Sequence, residues 1–135
     1  MDEKLLQIFQ KNKEVAFATA VDGVPHVRIF QIMKIDAATN SIYFATSPKK
    51  QVYMQLNENP QVAILDLKGA EFGRINGTID FNIPDGIQRE IFESNPVLPH
   101  LYKSYKDLVY LRLPAQTADY FDLRTNPPTL VHYDF

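Results

Sequence analysis

The chain contains no cysteine, which removes disulfide staples, thiol nucleophiles, iron–sulfur clusters and cysteine–zinc sites together. It has no tryptophan either, and no excess of one charge: 14 Lys and Arg against 16 Asp and Glu leave a formal net charge of -2. Such a balance offers no basic field for gripping a phosphate backbone, so nucleic acid is not an expected partner. No apolar run approaches the roughly 18 residues of a membrane span, and the charged opening Met1-Asp2-Glu3-Lys4 is unlike a secretory signal. A cytoplasmic protein without a membrane partner is the expectation. Repeats, low-complexity tracts and long linkers are also missing, and the length suits one domain over residues 1–135. His26, His100 and His132 lack metal-ligand spacing, no serine sits in a G-x-S-x-G elbow, and no spaced carboxylate pair stands out.

What is present reads mainly as β structure. Asp2 is placed to cap a helix whose Leu5, Ile8 and Phe9 fall on one face. Val15 to Val21 and Val24 to Lys34 read as two strands joined at Asp22-Gly23, a pair suited to positive φ. Ile42 to Ala45 makes a third strand, followed by a helix from Lys49 to about Asn57 that Asn59-Pro60 stops. Gln61 to Leu67 and the alternating Glu71 to Phe81 follow as strands, then a helix from the Asp85 cap carrying Ile87 and Ile91. Leu108 to Leu113 and Thr117 to Leu123 form a last pair before the tail at Asn126-Pro127-Pro128. Strands that succeed one another with few helices between them favour an antiparallel sheet, and six or seven at this length suggest a barrel.

Two features point to chemistry. In Thr46-Ser47-Pro48-Lys49-Lys50, Ser47 suits a helix cap and Pro48 the first helical position, which puts two lysines in the first turn. The positive end of the helix dipole disfavours cations there by a few tenths to about 1 kcal/mol each, so an anion such as a monoester phosphate is expected nearby. Lysines pointing into water are the equally weighted alternative. The second feature is Arg28 within Pro25 to Met33, where Val27, Ile29 and Met33 share one face and His26, Arg28, Phe30 and Ile32 the other. A strand apolar on both faces is covered on both, by a partner subunit or a flat ligand. A guanidinium amid that surface needs an anion: a phosphate, or a carboxylate such as Asp66 or Asp80. Arg74 poses the same question, with a structural role the stronger alternative because Asn76, Thr78 and Asp80 share its wet face.

These residues fall into an order. Gly23-x-Pro25-His26-Val27-Arg28, then Tyr43-Phe44-Ala45-Thr46-x-x-Lys49-Lys50, then Leu56-x-x-Asn59-Pro60, then Arg74-Ile75-Asn76-Gly77, together resemble the pyridoxamine 5'-phosphate oxidase-like family of FMN-binding split barrels, in particular its small single-domain, nitroimidazole-reductase-like members. The resemblance implies a mainly β fold, a six-stranded antiparallel split β-barrel with a few flanking helices. It also implies a homodimer with FMN at the subunit interface. By position, Arg28, Lys49 and Lys50 would hold the flavin phosphate with hydroxyl bonds from Thr46 and Ser47. Ile29, Phe30, Gln31 and Ala45 would lie along the ring, and Arg74 completes the implied cofactor-binding set. The function implied is an oxidoreductase acting on a small organic molecule, with NAD(P)H an electron donor open to test; a flavin- or haem-binding carrier, store or sensor without turnover is the alternative. The chain departs from the vitamin B6 oxidases in lacking their Trp- and Arg-bearing C-terminal segment, in placing Phe72 where they offer a glutamine, and in a shorter step from Thr46 to its lysine pair.

Overall fold

The computed structural model describes residues 1–135, and its architecture follows from a constraint at the second hairpin strand. Helix α1 (Glu3–Lys11) leads into β1 (Glu14–Val21) and β2 (Val24–Gln31), after which only Ile32 and Met33 precede β3 (Lys34–Asp36). Then come β4 (Ser41–Thr46), α2 (Gln51–Glu58), β5 (Gln61–Asp66), β6 (Glu71–Thr78), α3 (Asp85–Ser94), α4 (Val97–Leu101), β7 (Val109–Asp122) and β8 (Thr129–Asp134). The sheet runs β2-β1-β5-β6-β7-β4-β3 with β8 added on β7, and every pairing is antiparallel. Strands β2 and β3 are thus neighbours in sequence but stand at opposite ends of this order. A two-residue connection can span that only if the sheet curls until its ends meet: Ile32 N–H still donates to the Lys13 carbonyl beside β1 at 2.7 Å, while the next residue, Met33, donates to the Tyr43 carbonyl of β4 at 2.9 Å. The result is an antiparallel split barrel.

Packing closes the same seam. Phe17 of β1, Phe30 of β2 and Phe44 of β4 meet inside, with ring centroids 4.7 Å apart for Phe17–Phe30 and 5.2 Å for Phe17–Phe44. Leu5, Ile8 and Phe9 of α1 join this core, while Asp2 caps the helix by accepting from the Lys4 N–H. A second cluster of Tyr43, Ile83, Ile91, Leu98, Leu108 and Tyr110 seats α3 and α4 on the other side of β4 and β7.

Several expected boundaries move. The strand expected from Val24 to Lys34 ends at Gln31, because Ile32 turns into the core and the chain leaves for the other edge. The two strands expected at Leu108–Leu113 and Thr117–Leu123 are one, β7, whose first part pairs with β4 and whose second part pairs with β6 and β8. Register shifts at Gly77↔Ala115, so the strand bends past Pro114 without breaking. Strand β8 lies where only a tail was expected and raises the strand number to eight. Asp85 is the first residue of α3, and Pro84 occupies the cap position.

Strand alternation also organises the outer face. Ile29, Ala16, Leu65, Arg74, Asp119 and His132 stand in one register row across β2, β1, β5, β6, β7 and β8. The β2 end of that face is apolar and bare, with Val27 70% and Ile29 63% exposed. No helix is long and apolar enough to cross a membrane.

Candidate functional site

Beside this bare edge a cleft of about 450 Å³ opens between β2 and the start of α2, bringing His26, Arg28, Ile29, Phe30, Lys50 and Gln55 together. The Arg28 side chain lies opposite Phe17 in the β1–β2 ladder and is half-buried. It donates to the Phe17 carbonyl at 3.2 Å, to Thr19 Oγ1 at 2.9 Å and to Gln55 Oε1. All three acceptors are neutral. The two carboxylates that could have paired with it are engaged elsewhere, Asp66 by Asn12 and Asp80 by Arg112 at 3.3 Å. Burial lowers the Arg28 guanidinium from its ordinary value, yet arginine starts so high that it stays charged at neutral pH. The cleft therefore holds a partly desolvated cation with no counter-charge.

The helix end beside it differs from the expected one. Ser47 does not cap α2; its hydroxyl accepts from the Lys49 N–H at 3.2 Å and its carbonyl from the Lys50 N–H at 3.1 Å. These bonds close a separate turn over Ser47 to Lys50. Pro48 lies in that turn rather than in the first helical position, and the helix starts at Gln51 rather than at Lys49. Lys50 is its N-cap residue, and an ammonium cannot accept, so the first helical N–H groups have no side-chain cap. Both facts favour an anion at that point. Thr46, at the end of β4, adds a buried hydroxyl without any partner.

The remaining expected residues fall in different places. Phe30 lines the cleft but turns its ring into the core, whereas Gln31 is exposed at the end of β2 and Ala45 packs against the second cluster. Lys49 and Ser47 line a neighbouring depression of about 520 Å³ with Lys103 and Lys106, so the two lysines of the pair face different hollows. Arg74 is outside the cleft: Asp119 takes its charge through bonds of 3.1 and 2.8 Å, and the guanidinium lies 5.4 Å from the Phe121 ring centroid. Thr19 and Gln55 were not singled out from the sequence. They lie 9 and 27 residues from Arg28, and no local spacing signals that they converge on it.

A family model described as pyridoxamine 5'-phosphate oxidase matches residues 1–125. The chain belongs to that family. Among solved structures it is similar to a protein related to general stress protein 26 of B. subtilis, from Clostridium acetobutylicum, with a TM-score of 0.79, 15% identity, and 100% of this chain and 97% of that one covered. A pyridoxamine 5'-phosphate oxidase-related, FMN-binding protein from Nostoc punctiforme matches with a TM-score of 0.71 and 14% identity over 96% of this chain and 87% of its own. A haem-binding protein from Mycobacterium smegmatis matches with a TM-score of 0.79 and 12% identity over 98% of this chain and 57% of its own. At such identities these likenesses establish the fold. A comparison with curated protein sequences finds no match.

Proposed function

We propose that the chain is an FMN-binding flavoprotein that acts as a homodimer and oxidises or reduces a small organic molecule. The observation that carries this reading is Arg28, a half-buried cation surrounded only by neutral acceptors and opening on a cleft shared with Lys50. A phosphate monoester supplies what that cleft lacks, since it pairs with the guanidinium fork, the ammonium and the uncapped N–H groups of α2. Thr46 and Ser47 offer hydroxyls nearby, and the backbone from Ile29 to Gln31 together with Ala45 offers a ladder edge for the flavin ring. Lys49 adds to the positive potential from the adjoining depression, whereas Arg74, already neutralised, is left out of the phosphate site.

A second copy of the chain is proposed to cover Val27 and Ile29, because bare aliphatic side chains on an edge strand invite pairing and a partner seated there would wall the cleft. When bound, the flavin supplies the electron or hydride transfer, while the protein binds, orients and shields. A module that holds flavin or haem without turnover is the second reading, favoured by His26, a haem-ligand residue type lining the same cleft. Purified protein separates the two. Release of FMN on denaturation, with a flavin band that NAD(P)H bleaches and air restores, is the expected result. A Soret band moves the assignment to haem, and a colourless protein that leaves an FMN titration flat ends it.

A further inference from the structure

Away from the Arg28 cleft, and sharing no lining residue with it, a second hollow of about 360 Å³ lies where the end of α1 meets the β5–β6 turn and the segment after β7. Its charged and polar walls are Lys11, Asn12, Asp66, Lys68, Glu71 and Arg124. Asp66 is the anomaly. It is only 5% exposed, its single partner is the neutral Asn12 side-chain amide, and no cation stands against it. Asn12 takes one carboxylate oxygen, and the other is left without a donor and open to the hollow. The opposite charge is present in the same hollow and equally unused. Arg124 is taken up by Asp122 and Glu71, and Glu71 also accepts from the Tyr120 hydroxyl, but Lys11 and Lys68 reach no acid.

Neither charge alone selects a ligand. A metal ion would find one free carboxylate among three cationic side chains, and a simple anion would meet the buried Asp66. We propose that this hollow binds a small zwitterion carrying an ammonium and a carboxylate, such as an ω-amino acid. Its ammonium pairs with Asp66 and the partial negative charge at the C-terminal end of α1, and its carboxylate pairs with Lys68 and Lys11. The volume is at the low end for ligand sites and leaves ample room for an amino acid. The site is independent of the flavin reading and stands or falls without it.

The test is a titration of the full-length protein with glycine, β-alanine, 4-aminobutyrate and 5-aminopentanoate, followed by nitrogen–proton NMR at the Asn12 side-chain amide and the Gly69 and Ala70 backbone amides. At least one member should shift these signals saturably, with butylamine and butyrate each binding at least tenfold more weakly. D66N keeps a partner for Asn12 while removing the charge, and should weaken the best probe about tenfold or more. K68A, at an exposed position, should weaken the carboxylate-bearing probes and leave butylamine unaffected; it carries the test if D66N fails to fold. Shifts that never saturate, or affinities equal in wild type, D66N and K68A, overturn the proposal.

Discussion

Arg28 on β2 donates to the side-chain carbonyl of Gln55 on α2, and Thr19 Oγ1 donates to the same oxygen at 2.7 Å. One neutral acceptor thus ties the edge hairpin to the helix that follows β4. Because Thr19 and Gln55 remain bonded to each other when the guanidinium is removed, the arginine is separable from the fold.

Arg28→Ala should therefore leave the protein folded and weaken FMN binding about 10- to 100-fold, the range expected for charge-assisted bonds to phosphate. Lys50→Ala should cost about tenfold. Lys49→Ala should cost less, since its side chain faces the adjoining depression. Equilibrium titration with FMN, quenching the flavin fluorescence, measures all three. Unchanged affinity in both Arg28→Ala and Lys50→Ala removes the phosphate from this cleft.

A charge on the bare edge tests the partner. Val27→Asp together with Ile29→Asp alters side chains that make no part of the buried core, so the monomer should fold as before. Desolvating two carboxylates against a second copy is strongly unfavourable. Sedimentation at micromolar concentration should show the wild type as a dimer and the double variant as a monomer. A wild-type monomer, or a variant dimer of equal stability, rejects this face as the interface.

Much of this arrangement was legible from short stretches of sequence. Asp22 and Gly23 form the expected hairpin turn with φ of 51° and 77°, and Asp2 caps α1 as its position suggests. Arg28 stood out because a guanidinium on an apolar strand needs an explanation, and its neutral surroundings sharpen that question. What stayed hidden depends on distant residues. Pro114 reads locally as a strand break, but β7 passes from β4 to β6 there and so needs no uniform ladder. Strand β8 follows Pro127-Pro128 and is mostly exposed, so burial gave it little pattern; Leu130, Val131 and Tyr133 were its available signal. The start of α2 was displaced because a Ser47 side chain closes a turn as readily as it caps a helix.

The outer row carries a pH-dependent tie for β8. Asp119 accepts from Arg74 on one carboxylate oxygen and meets His132 Nδ1 on the other at 2.6 Å, while His132 Nε2 faces Asp134 at 3.2 Å. The hydrogen bond to Asp119 raises His132 above its ordinary 6.5, so its stabilisation is full below that value and is lost as pH rises through the raised one. Burial pushes Asp119 up, but bonds from His132 and Arg74 outweigh it and hold the carboxyl below 3.8; its stabilisation is full above 3.8 and is lost as pH falls through the lowered value. The tie is strongest between these limits. Thermal midpoints of the wild type and His132→Gln should differ most near pH 5.5 and converge as the pH climbs past neutrality. A difference independent of pH shows that His132 acts without its proton.

Gly77 gives a fold-level test that the cofactor cannot influence. A Cβ there would lie 2.5 Å from the Pro114 carbonyl oxygen and 2.8 Å from Leu113 Cδ1, at the point where β7 bends and the register shifts. Backbone cannot swing aside as a side chain can, so Gly77→Ala must move β7 itself. At Gly73 a Cβ would meet Leu5 Cδ2 at 2.8 Å and Phe9 Cε2 at 3.1 Å, which are ends of side chains on α1 that can shift. Overpacking of this kind typically costs about 1–3 kcal/mol, and Gly77→Ala belongs at the upper end or beyond, with Gly73→Ala at the lower. Urea unfolding of both variants measures the order. If Gly73→Ala proves the more damaging, α1 is seated more rigidly than the handover between β4 and β6 at Pro114.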